Sequence, residues 1–158
     1  MKNITDHLST LCMIAWVGSL WAIGYLAVPV LFSAQPDRQL AGMLAGKMFS
    51  LSAYLGMFCG AYLLGYAFFQ YGRSALHQQP FRIVALMLSL TLLIQYGVTP
   101  VMTDLKAQAL PLDVMQSVFA GQFKMLHGLS SIAYLIMSIL GAFLVIKSRS
   151  HELSKYRH

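Results

Sequence analysis

Charge is what this chain has least of. Charged residues make up 10% of its 158 positions, and only five are acidic, where a soluble domain carries about 25% charged residues. None of those carboxylates falls in the four long apolar stretches at Leu8–Phe32, Met48–Gln70, Phe81–Val101 and Leu126–Ile146. That absence argues against a proton-coupled carrier built on a buried acid. The chain also lacks GxSxG, HExxH and Walker-loop motifs, the short signatures of serine hydrolases, zinc proteases and nucleotide-binding enzymes. There are two cysteines, Cys12 and Cys59, too few for a disulfide scaffold. Their positions predict buried thiols at different depths rather than a disulfide or a metal pair. No basic patch interleaved with aromatics is present, so the net charge of +6 does not point to nucleic acid.

What fills the sequence is apolar. The hydrophobic fraction is 58% and the mean hydropathy +0.64. Roughly 20 such residues cross the ~30 Å hydrocarbon layer as a helix, so the four stretches predict an all-α, integral-membrane four-helix bundle forming a single domain over residues 1–158. The first stretch is longer than the ~7–15 residues of a signal-peptide core, and no small-residue cleavage site follows it. It is expected to be a retained helix.

Four crossings put both termini on one side. That side collects Lys2, Arg73, Arg82, Lys147, Arg149, Lys155 and Arg157, and the other collects Arg38, Lys47, Lys106 and Lys124. Basic residues favour the cytoplasmic face, which predicts cytoplasmic termini in an inner membrane. On the outer side, Pro111 is expected to start an amphipathic helix carrying Leu112, Met115, Phe119, Phe123 and Leu126, bent at Gly121, leading into the fourth span.

Helices in lipid associate through small residues. Gly42 and Gly46 form one GxxxG, and Gly56 and Gly60 form another, read as packing surfaces within the bundle, with a homo-oligomer seam as the alternative. Pro29 and Pro100 sit near the outer ends of spans one and three, in the similar settings Val28-Pro29-Val30 and Thr99-Pro100-Val101. Each removes a backbone hydrogen bond and is expected to kink its helix. The next spans also open alike, with Lys47-Met48-Phe49 before Tyr54 and Lys124-Met125-Leu126 before Tyr134. This pattern hints at two parallel hairpins related by an axis along the membrane normal, an arrangement known in transporters.

Polar candidates gather on the outer side. Lys47, Gln95, Asp104 and His127 are expected to converge there, giving an imidazole placed to titrate, bind an anion or pass a proton. The plainer expectation is that His127 caps or bonds a helix. Met43, Met48, Met102, Met115 and Met125 also map to this side. Thioethers suit Cu(I), but their spacing is not a tight repeat, and no metal or cofactor is assigned. His7 and His127 fall at opposite faces, which excludes them as an axial pair for haem in one subunit.

Trp16-Val17-Gly18-Ser19-Leu20-Trp21, the segment Gly46-Lys47-Met48-Phe49, and above all His127-Gly128-Leu129-Ser130-Ser131 resemble the transmembrane protein 205 family. The resemblance implies a four-helix membrane domain with no agreed catalytic residue. The leading expectation is a non-enzymatic membrane protein. The alternatives are a small oligomeric transporter or cation-handling protein, and a haem- or quinone-linked redox subunit.

Overall fold

The computed structural model describes residues 2–155, with side chains from 4 to 147. Lys2, Arg149, His151 and Lys155 are therefore described in backbone alone, and Arg157 and His158 lie outside the described residues. Helix α1 (Lys2–Ala22) passes through a π turn (Ile23–Ala27) into α2 (Val28–Ala34), and α3 (Arg38–Tyr71) returns. A short 3₁₀ connection leads to α4 (Gln79–Leu92), a second π turn (Leu93–Val98) and α5 (Thr99–Ala109), and α6 (Ala120–Lys155) completes the chain. Among the described residues there is no strand.

These elements make four apolar helices long enough to cross a membrane: span 1 (Ile4–Ala34), span 2 (Arg38–His77), span 3 (Gln79–Ala109) and span 4 (Ala120–Lys147). Span 1 packs on spans 2 and 4, and span 3 packs on the same two. The two proline-bearing spans therefore stand on one diagonal of the bundle and spans 2 and 4 on the other. Leu51, Phe58 and Ile132 point outward, between 61 and 71% exposed. So many large apolar side chains on one surface have hydrocarbon as their solvent.

Span 2 starts sharply because the Asp37 carboxylate accepts from the backbone N–H of Gln39 and Leu40 at 2.9 and 3.1 Å, an N-cap that satisfies two orphan donors. The helix leading into span 4 begins at Ala120 rather than at Pro111. Leu110–Pro111 is a cis peptide, and a 3₁₀ turn at Val114–Gln116 follows it. The helix expected from Pro111 is not formed. The connection instead folds back, burying Val114 against Leu105 and Ala109, with Phe119, Phe123 and Leu126 packed over them, while Leu112 and Met115 stay exposed. Gly121 belongs to the first turn of α6, so no helix precedes it to be bent.

In the half of the bundle nearer the termini, the core is tight. Trp16, Met87 and Cys59 are fully buried there. The Trp16 indole lies on the bare backbone of span 2. A methyl at Gly60 would stand 2.9 Å from the ring, and one at Gly56 would overlap it. Small residues here admit a large one. Gly42 and Gly46 do something else: the nearest neighbour to a methyl at Gly42 is the Lys106 amine, and Gly46 faces open space. Cys12 and Cys59 share one depth after all. They are free thiols buried in the same core cluster. Spans 1 and 2 run antiparallel, which brings an early position of one beside a late position of the other.

Candidate functional site

The proline-bearing half is built differently. In span 1, the N–H of Val28 bonds back five residues to the carbonyl of Ile23, and in span 3 the N–H of Thr99 bonds back five to Ile94. The next residue in each case is proline, Pro29 or Pro100, which has no N–H to give. An α turn or a π turn would supply the carbonyl of Gly24 from Val28 or residue 29, and that of Gln95 from Thr99 or residue 100. Neither carbonyl receives such a bond. The expected kink thus takes the form of a widened turn just before the proline. It occurs at matching positions in both spans, which supports the parallel-hairpin repeat. Aligning the turns reveals a further likeness: Tyr25 and Tyr96 each stand four residues before their proline.

Between the four spans lies a cavity of about 370 Å³. Trp16, Leu20, Gly24 and Tyr25 line it from span 1, and Gly46, Phe49, Ser50, Ser52 and Ala53 from span 2. Span 3 contributes Thr91, Ile94, Gln95, Thr99 and Met102, and span 4 contributes Ser130, Ser131, Tyr134, Leu135 and Met137. No charged residue is among them. The lining is mainly apolar and aromatic, with a few convergent polar groups, the composition of a small-molecule site.

Tyr134 is the keystone. Its hydroxyl donates to the Leu20 carbonyl at 2.6 Å, its ring meets Phe49 edge-on at 5.2 Å, and Tyr25 lies 6.4 Å away. A methyl at Gly24 would overlap the Tyr134 ring. One side chain therefore ties span 4 to spans 1 and 2. Nearby, Trp21 Nε1 donates to the Ser138 carbonyl at 3.3 Å, and Ser19 and Ser52 share a hydrogen bond of 3.1 Å. Other hydroxyls on the cavity turn inward to their own helices: Thr91 donates to Met87, Ser130 to Leu126 and Ser131 to His127. This arrangement leaves the Ser50 and Thr99 hydroxyls, the Gln95 amide and the carbonyls of Gly24 and Gln95 as the open polar groups.

Of the four residues expected to converge, only Gln95 lines the cavity. Lys47, Asp104 and His127 are exposed. The ring of His127 stacks on Phe123 at 6.0 Å, and Lys106 sits 5.4 Å over the other partner of that stack, the Phe123 ring. Lys106 also donates to the Gly42 carbonyl at 3.4 Å. Lys106, not Lys47, is the cation that reaches the Phe123 ring, because α5 carries span 3 farther than its apolar run. Among the other motif residues, Gly46, Phe49, Ser130 and Ser131 reach the cavity, while Gly128 has open space beside it. Met43, Met115 and Met125 are exposed and Met102 lines the cavity. Among the described residues, no group of three or more His, Cys, Asp or Glu is placed to hold a metal ion. Sequence reasoning missed Tyr134, Trp16 and Thr99 as cavity residues. The tyrosine-to-proline spacing common to spans 1 and 3 was the signal available for the turns.

The family described as "Domain of unknown function (DUF4149)" matches residues 11–111. No curated protein and no solved structure matches the chain.

Proposed function

The chain belongs to the DUF4149 family, and from the shape of its interior we propose that it is a non-enzymatic multi-pass membrane protein that holds a small uncharged molecule between its four spans. The observation that carries this reading is the cavity to which every span contributes and no charged residue does. A charged ligand would leave water for an interior with no counter-charge, at a cost of several kcal/mol. A neutral one meets no such penalty. The reading takes in the likeness of Trp16–Trp21 and His127–Ser131 to the transmembrane protein 205 family. It also takes in an inner-membrane location with cytoplasmic termini, on the excess of lysine and arginine at that end.

A second reading, a small carrier acting as a homo-oligomer, is favoured by the paired interrupted helices on one diagonal, the setting in which carriers of repeat architecture place their substrates. The redox reading draws less support, since no histidine lines the cavity. The test is to fill the space. Ala53→Phe in purified protein is expected to abolish binding of a neutral apolar probe such as 4-nonylanisole, followed through Trp16 emission in a Trp21→Phe background, while the helix content stays unchanged. Equal binding by the filled variant would overturn the proposal.

A further inference from the structure

Gly24 and Gln95 occupy the same place in the two halves of the molecule. Both line the cavity, both precede a proline by five residues, and both have carbonyls that receive neither the α nor the π donor. Among the described hydrogen bonds, no side chain donates to either carbonyl. An acceptor without a donor in a membrane interior costs several kcal/mol, and irregular backbone persists at that depth only where it lines a cavity or is covered by protein. Their two residues stand on opposite walls of one space, which also carries the Ser50 and Thr99 hydroxyls and the Gln95 amide.

The two carbonyls call for a donor. A cation would answer it, but the lining offers no carboxylate, and lone carbonyl dipoles do not replace the hydration of a full charge there. An uncharged hydroxyl answers it without that cost. The walls favour a ring as its carrier: Trp16, Tyr25, Phe49 and Tyr134 border the same space, and aromatic faces and edges pack best against another ring. Resting on the cavity reading above, we propose that the ligand class is an uncharged, hydroxyl-bearing aromatic molecule with an apolar body, its hydroxyl donating to one or the other of the two carbonyls that Pro29 and Pro100 leave open.

The probes are 4-nonylphenol and 4-nonylanisole, which share a body and differ in whether the oxygen can donate. Each is titrated into Trp21→Phe protein in lipid nanodiscs, with Trp16 emission as the readout. The phenol is expected to bind roughly tenfold more tightly than the ether, the worth of about one hydrogen bond. Pro29→Ala and Pro100→Ala each return an N–H to the backbone, and the preference is expected to shrink in each and to fall to about twofold in the double variant, as the open acceptors find partners. Should the double variant fail to fold, the single variants and the wild-type preference decide. If both probes bind the wild type equally, the donor proposal is overturned and the cavity reading stands. If neither probe binds, both fall. A preference for the phenol that survives unchanged in the proline variants also overturns the assignment to these carbonyls.

Discussion

The two halves of this bundle are made from the same four helices and solve opposite problems. Toward the termini, glycines at 56 and 60 let span 2 close on the Trp16 indole, and the space between helices is full. Toward the prolines, a widened turn in each diagonal span holds the helices apart, and the space between them is open. Small residues close a helix interface only when the facing helix brings something large to set on them. Gly56 and Gly60 have Trp16, whereas Gly46 has the cavity.

The sharpest way to break this contrast is to spoil the closed half. Gly56→Leu puts a branched side chain into the indole and is expected to cost about 3 kcal/mol or more, seen as loss of monodisperse protein on size exclusion in detergent. In the open half, Tyr134→Phe removes the hydroxyl bond from span 4 to Leu20. An interhelical bond in lipid is worth about 0.6–2 kcal/mol, so the unfolding midpoint in mixed micelles is expected to drop modestly. Tyr66→Phe, which removes the hydroxyl contact with Asp6 between spans 1 and 2, is expected to cost about 1 kcal/mol by the same assay. Last comes His127→Ala. With an exposed ring stacked on Phe123, it is expected to shift stability by less than about 0.5 kcal/mol and to leave probe binding unchanged. A large loss of binding there would move the functional centre from the cavity to the rim.

The crossing helices were legible because hydrocarbon imposes one rule on every lipid-facing position, and twenty apolar residues in a row satisfy it visibly. The cavity was not legible for the converse reason. Serines 52, 130 and 131, Thr91 and Gly46 are the residue types that also make tight helix contacts, and only three-dimensional placement separates the two uses. Pro29 and Pro100 announced an irregularity but not its form, because whether a helix kinks or widens depends on which upstream carbonyl the preceding N–H selects. The outer helix failed as an expectation before Ala120, because Leu112–Leu126 has helical spacing of apolar residues throughout, yet only its second part is helical. The chain instead uses Val114 to plug the gap beside Leu105 and Ala109. His127 and Lys47 drew attention as rare polar residues, yet rarity in an apolar chain marks the water boundary as readily as it marks chemistry.

Helix α3 runs unbroken from Arg38 to Tyr71, 34 residues, about 51 Å at the standard rise. The hydrocarbon slab is about 30 Å thick. Some 20 Å of rigid rod must therefore stand clear of the lipid tails or lean over within them. A thicker membrane would draw more of that overhang in and set the rod more upright, so the thickness of the host bilayer becomes a lever on how the four rods splay.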